Sequence, residues 1–330
     1  MNVAIIGTGS WGTMLAILLA RNGHAARLWA RTEQEANLLN AERENRAFLR
    51  GVLFPDALIV RADLPRVLAA SDFVFVVTPA QRVRDNARHI APHLPSRAIV
   101  VSCAKGIELT TLHSMSAVLA QELSSARVCV LSGPNLAREI AAGLPASSVV
   151  ASADSAIARA AQSLLMSPTL RVYTHDDVLG VELAGALKNV IAIGAGIVDG
   201  LNLGENAKAA FITRGLAEMT RLGIKLGAQA MTFAGLAGLG DLLCTCYSEH
   251  SRNHFVGMEI ARGRALAEIQ KSMRMIAEGV PTAHAARQLA VREQIEMPIV
   301  EQVYQVLHAG KKLRHAIIDL LAREAKPEIY

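Results

Sequence analysis

The chain of 330 residues is 52% hydrophobic and 19% charged, which supplies a sizeable core and too little charge for a disordered chain. Its length suggests two domains, and its net charge of +5 lies wholly within residues 1–175 without a basic cluster, which argues against nucleic acid and suits an anionic small ligand. Four cysteines (Cys103, Cys129, Cys244, Cys246) make no disulfide framework, and Cys244 and Cys246 lack nearby paired ligands for zinc, so no metal site is expected and a reducing cytoplasm is the default.

Residues 2–6 (NVAII) form an apolar run closed by Gly7, the pattern of a buried strand. Residues 13–21 read as a helix stopped by Asn22-Gly23. Further strands are expected at 25–30, 58–62, 73–77, 98–102, 127–131 and 147–152, with helix-length segments between most of them. Repeated β-α-β units predict a parallel sheet covered on both faces. After about Tyr173 the pattern becomes helical, with no convincing strand from 177 to 323. The expected architecture is α/β plus all-α: a Rossmann-type parallel-sheet domain over 1–176, then a helical domain over 177–330. No apolar run reaches about 18 residues, so no membrane span is expected. The N-terminus opens on a strand with no basic leader, so no signal peptide is expected.

Gly7-Thr8-Gly9-Ser10-Trp11-Gly12 is G-x-G-x-x-G between a strand and a helix, the context a dinucleotide site requires. Gly7 permits the tight turn, Gly9 the approach of a pyrophosphate, and Gly12 close helix–strand packing. The following helix start offers N–H groups to phosphate. The second strand ends Trp29-Ala30-Arg31, with no acid until Glu33. An acid there would repel a 2′-phosphate and Arg31 could bind one, which favours NADP(H) or dual use with NAD(H).

Loops beyond the carboxyl ends of the strands should meet the ligand. They are Thr78-Pro79, the 104–108 loop with Lys105, and Ser132-Gly133-Pro134-Asn135. The chain has 26 Arg and 8 Lys, and Lys105 is the only lysine in residues 1–175. Lys188 lies within an apolar helical stretch, where an ammonium is costly unless paired or functional, and where burial lowers its pKa toward the range of proton exchange. Asp241 ends a Gly-rich apolar segment, and Ser251-Arg252-Asn253 offers a fork-shaped cation flanked by polar groups, suited to phosphate.

These residues together closely resemble the bacterial NAD(P)-dependent glycerol-3-phosphate dehydrogenases over essentially the whole chain. The likeness is densest at 7–12, 103–108, 132–140, 182–219, 232–242 and 251–253. It implies reversible reduction of dihydroxyacetone phosphate to sn-glycerol 3-phosphate, feeding glycerophospholipid synthesis, by a homodimer. Besides the three glycines of the loop, it implies dinucleotide contacts at Ser10, Trp11, Arg31, Lys105, Ala137, Arg252, Ile276 and Glu278. Substrate contacts are implied at Lys105, Gly133, Asn135, Lys188, Asp241, Ser251, Arg252 and Asn253. Lys188 corresponds to the family's proton-transfer lysine, with Lys105 and Asp241 holding its hydrogen-bond network and Thr245 near the reacting centre. Three positions depart from the pattern: Asn135 stands where Ser or Thr is usual, Gln81 where His or a similar residue is common, and Cys244 where an aliphatic residue is usual. Two other readings stay open from the residues themselves. One is a two-domain reductase of the 3-hydroxy-acid or ketopantoate type, acting on a carboxylate. The other is a nucleotide-sensing regulator, which the presence of Lys188 and an intact 251–253 cradle disfavours.

Overall fold

Alternate residues of the first strand face opposite ways, and both ways are apolar. In β1 (Asn2–Ile6), Val3 and Ile5 join one core with Leu15, Leu19 and Leu164, while Ala4 and Ile6 join another with Val83, Ile90 and Leu119. A strand covered on both faces needs no polar alternation, which is why NVAII reads as a continuous apolar run. The computed structural model describes residues 1–123, 127–325 and 327–328.

The remaining strands are β2 (Ala25–Trp29), β3 (Ile59–Arg61), β4 (Phe73–Val76), β5 (Ile99–Ser102), β6 (Arg127–Ser132), β7 (Ala146–Ala151) and β8 (Leu170–His175). They form one sheet in the order β3-β2-β1-β4-β5-β6-β7-β8. The chain leaves β1 toward β2 and β3, then crosses back to place β4 on the other side of β1, which opens a crevice at their carboxyl ends. The intervening helices are α1 (Ser10–Arg21), α2 (Glu33–Glu42), α3 (Leu64–Leu68), α4 (Val83–Ile90), α5 (Met115–Glu122), α6 (Ala137–Ala141) and α7 (Ser155–Leu165).

Two features differ from expectation. The sheet is not parallel throughout, because β7 pairs antiparallel to β6, with Leu131 opposite Val150. The link between them holds only the short α6, and nothing in the composition of a buried strand reports its direction. The second is β8, which the sequence pattern did not announce. It pairs parallel to β7 at the end of the sheet, with Leu170 and Val172 buried and Arg171 and Tyr173 exposed.

From Val178 onward the described residues are helical: α8 (Val178–Gly200), α9 (Glu205–Lys225), α10 (Ala230–Ala234), a π-helical turn at Leu236–Gly240, α11 (Asp241–Tyr247), α12 (Arg252–Ala261), α13 (Leu266–Ser272), α14 (Gly279–Glu293), α15 (Pro298–His308) and α16 (Leu313–Leu321). Helix α8 is the axis of this part. By length and composition it could cross a membrane, contrary to the expectation of no such run, and it is buried inside the protein over its whole apolar window. A helix enclosed by α9, α11, α12, α14 and α15 is apolar on every side for that reason. Glycines let α12 press directly on it. A Cβ on Gly196 would lie 2.1 Å from the His254 carbonyl oxygen, and one on Gly257 would lie 2.0 Å from that of Ile193. This close crossing sets the start of α12 beside the middle of α8, where Lys188 and Asn189 stand.

Candidate active site

The site forms where the crevice of the sheet meets the middle of α8. On the sheet side, Gly7 adopts φ +123°, and a Cβ there would meet the Val77 carbonyl oxygen at 2.6 Å. A Cβ on Gly12, inside the first turn of α1, would lie 2.0 Å from the Gly7 carbonyl oxygen. Above Gly9, by contrast, a Cβ would meet nothing within 4 Å. Gly9 caps α1 without a side-chain bond, and the first turn carries no acid, so its N–H groups face open space suited to an anion. Ser10 Oγ donates to the Phe48 carbonyl (2.6 Å) and approaches Met275 Sδ (3.3 Å), while Trp11 Nε1 is buried without a partner. This loop fits a dinucleotide phosphate.

Arg31 follows β2 with a side chain 79% exposed, its Nε 3.9 Å from Glu35 Oε2. Glu35 is a residue that strand-end reasoning missed. It also accepts from Thr8 Oγ1 of the glycine loop (2.6 Å) and from the Arg31 backbone N–H (3.2 Å). The sequence did carry a signal for it. Thr32-x-x-Glu35 is a capping-box pattern, and Thr32 Oγ1 accepts from the Glu35 N–H (3.1 Å), which turns the carboxylate back toward the loop.

On the helical side, four side chains form a continuous chain. Lys188 Nζ donates to Asp241 Oδ1 (2.7 Å) and Thr245 Oγ1 (2.6 Å), and Lys105 Nζ donates to Asp241 Oδ2 (2.6 Å) and the Gly133 carbonyl (2.8 Å). Asp241 begins α11 directly after the π-helical turn, and Thr245 lies one turn on, donating to Asp241 Oδ1 at 3.3 Å. Lys188 and Asp241 are buried, and Lys105 is partly open. Burial brings the Lys188 ammonium down to about 8, against the pull of Asp241 and with the help of Lys105. Burial pushes the Asp241 carboxyl up, but the two flanking ammoniums outweigh it and hold the group below its ordinary value. A buried lysine poised near neutrality, oriented by a carboxylate that stays ionised, can give and take a proton.

Asn135 Oδ1 accepts from Ser148 Oγ (2.5 Å), which leaves its buried Nδ2 without a partner. Thr78 Oγ1, Ser102 Oγ and Ser132 Oγ, at or just past the carboxyl ends of β4, β5 and β6, are buried and unpartnered too. Buried polar atoms of this kind are rare in folded proteins, and their gathering along one sheet edge fits a hydroxyl-rich ligand.

Arg252 starts α12, with Nη1 donating to the Ile276 carbonyl (2.7 Å). The side chain is exposed, yet the protein packed around it lowers its pKa by desolvation, and Glu278 opposes this. Its neighbours are more committed. Ser251 Oγ caps α12 by accepting from the His254 N–H (3.2 Å). Asn253 Nδ2 donates to Asn189 Oδ1 (2.7 Å), and its Oδ1 accepts from the Gly279 N–H (2.9 Å). Asn189 therefore holds the cradle from α8, a role its place in an apolar helix hinted at without specifying. Glu278 Oε1 accepts from the Ala80 N–H (3.0 Å) across the cleft, and burial raises its pKa. Ala137 opens α6, and Ile276 is exposed. Among the described residues no group of His, Cys, Asp or Glu could hold a metal ion.

Comparison with known proteins bears on this geometry. Models of the NAD-dependent glycerol-3-phosphate dehydrogenase N-terminus and C-terminus match residues 2–158 and 177–318. The glycerol-3-phosphate dehydrogenase [NAD(P)+] of Geobacter sulfurreducens is 49% identical over 330 residues, covering 99% of this chain and 98% of the relative. That of Chlorobium limicola is 46% identical over 333 residues, covering both chains fully. The crystal structure of glycerol-3-phosphate dehydrogenase from Coxiella burnetii superimposes with a TM-score of 0.94 at 37% identity, covering 97% of this chain and 98% of that one. A ketopantoate reductase from Ralstonia eutropha, at 15% identity and a TM-score of 0.60 with 94% of this chain and 98% of that one covered, shares the fold alone.

Proposed function

The chain belongs to the NAD-dependent glycerol-3-phosphate dehydrogenase family, and from that premise we propose how its cleft interconverts dihydroxyacetone phosphate and sn-glycerol 3-phosphate with NADP(H) or NAD(H). The observation that carries the reading is the Lys105–Asp241–Lys188–Thr245 chain at the mouth of the glycine-loop crevice. Residues 1–176 form the dinucleotide-binding domain and residues 177–330 the substrate-binding domain, and each lends side chains to the other's ligand across the cleft.

When bound, the dinucleotide supplies or accepts the hydride. Reduction places negative charge on the former carbonyl oxygen, and the Lys188 ammonium gives that oxygen its proton. In the reverse direction neutral Lys188 takes the hydroxyl proton. Asp241 aims Lys188 and offsets its charge, Thr245 accepts one of its N–H groups, and Lys105 brings a second cation to the polarised oxygens. Arg252 grips the phosphate, with the remaining hydrogen-bonding capacity of Ser251 and Asn253 beside it, and Gly133 and Asn135 line the hydroxyl side. Holding a phosphate away from the reacting carbon orients that carbon. Gly7, Gly9, Ser10, Trp11 and Gly12, with Arg31, Ala137, Ile276 and Glu278, border the dinucleotide. Cys244, three residues past Asp241 in α11, takes no part in these steps.

The deciding experiment is an absorbance assay of nicotinamide oxidation with dihydroxyacetone phosphate, run separately with NADPH and NADH. Turnover with ketopantoate and none with dihydroxyacetone phosphate would sink the reading. Arg252→Ala is expected to raise KM for dihydroxyacetone phosphate by about 10- to 100-fold, since a charge-assisted bond contributes about 1.5–3 kcal/mol. The effect on kcat should be smaller, and steady-state kinetics measures the split. Arg31→Ala is expected to weaken NADPH by about tenfold while leaving NADH nearly unchanged, because the exposed Arg31 after β2 would meet a 2′-phosphate and Glu35 remains for a ribose hydroxyl. Fluorescence titration with both dinucleotides checks it, and an unchanged ratio removes Arg31 from cofactor choice. The proposal extends to a cytoplasmic homodimer that feeds glycerophospholipid synthesis, and light scattering on the purified protein tests the dimer.

A further inference from the structure

Lys105 has three N–H donors, and two are spent on Asp241 and the Gly133 carbonyl. With those two bonds pinning the ammonium, the direction left to the third depends on where the loop backbone starts the stem. That loop rests on the 3₁₀ turn Ala80–Arg82 and on α4 through three separate devices. Gly106 lies so close to the turn that a Cβ there would meet Ala80 Cβ at 2.5 Å. The Gln81 amide bridges the loop as a strand partner would: Nε2 donates to the Ile107 carbonyl (2.8 Å), and Oε1 accepts from the Leu109 N–H (3.0 Å). Arg84 grips Glu108 with two parallel bonds, Nε to Oε1 (2.8 Å) and Nη2 to Oε2 (2.7 Å). The turn itself is tied to the helical side by the Ala80 N–H bond to Glu278.

We propose that Gln81 is a positioning residue for the reaction, its amide clamp on residues 107–109 setting where Lys105 delivers its remaining N–H. Arg84 grips a carboxylate that projects from the loop, whereas Gln81 grips the backbone itself on both sides of Glu108. A side chain that moves Lys105 by an ångström should cost up to about 100-fold in rate without touching the substrate. This inference rests on the assignment of Lys105 to the active site.

A double-mutant cycle tests it, with kcat/KM for dihydroxyacetone phosphate measured in four enzymes: wild type, Gln81→Leu, Lys105→Ala and the double variant. Gln81→Leu keeps the approximate bulk and removes both bonds. It is expected to lower kcat/KM by about 10- to 100-fold in the wild-type background. In the Lys105→Ala background it should change the residual rate by less than about twofold, because the group it positions is gone. A general destabilisation would lower both backgrounds alike, and equal losses would overturn the inference. So would a Gln81→Leu enzyme with wild-type kinetics. Gln81→Met, which also keeps the bulk and makes neither bond, should match Gln81→Leu, and it repeats the cycle if the leucine variant fails to fold. Wild-type activity in Lys105→Ala would overturn the active-site assignment itself, and the Gln81 inference with it.

Discussion

Lys188→Ala is expected to lower kcat for dihydroxyacetone phosphate reduction by about 10²–10⁴-fold, the usual contribution of a positioned acid or base. KM should change little, because Arg252 and the glycine loop still hold the two ligands. The variant leaves Asp241 with one ammonium, Lys105, so the buried carboxylate stays paired and the protein should fold. The pH profile gives a second signature. With Lys188 brought down to about 8, the reduction rate, which needs the ammonium, should fall as pH rises through that value. The oxidation rate, which needs the neutral amine, should rise over the same interval. Both limbs should vanish in Lys188→Ala, measured on its residual activity. Near-wild-type turnover would end the proton-transfer role.

Asp241→Asn should damage both stability and catalysis, because it takes the anion from between two cations. The two ammoniums now face a neutral amide in a buried place. Breaking a buried ion pair by removing one partner costs about 3–5 kcal/mol, since the remaining charge is uncompensated. Lys188 would relieve this by losing its proton, so its pKa should drop further below about 8. The reduction rate at neutral pH should therefore collapse, and the residual activity should have an optimum displaced to lower pH. Urea unfolding measures the stability, and pH–rate profiles measure the displacement. A variant as stable as wild type, with an unmoved profile, would show that Asp241 neither balances nor tunes Lys188.

Much of this site could be read in the residues because it breaks local rules. A lysine in the apolar helix α8, a carboxylate closing a Gly-rich segment and G-x-G-x-x-G after a strand are each out of place unless they serve a ligand. Glu35 escaped because the expected acid belongs at the end of β2, whereas this one returns from the first turn of α2. Ser251 caps α12 through His254, a local bond of the kind a serine before a helix signals. The commitment of Asn253 escaped because a hydrogen-bond partner sixty-four residues away leaves no trace in local spacing. The same holds for Gln81, whose departure from the family pattern was visible and whose clamp on the Lys105 loop was not.

The sequence by itself determined the family, the two-part architecture and the glycine loop, and it singled out Lys105, Lys188, Asp241 and Arg252 as candidates. These follow from periodicity, from motif spacing and from the cost of charge in apolar surroundings, all properties of residues near one another in the chain. Only the tertiary structure decided that β7 runs antiparallel and that β8 extends the sheet, since pairing direction depends on the path of the connection. Only it joined two lysines of separate domains through one carboxylate and gave Lys188 a poise near neutrality. A lysine's acidity depends on what surrounds it, and those surroundings are assembled from segments that meet only when the chain folds.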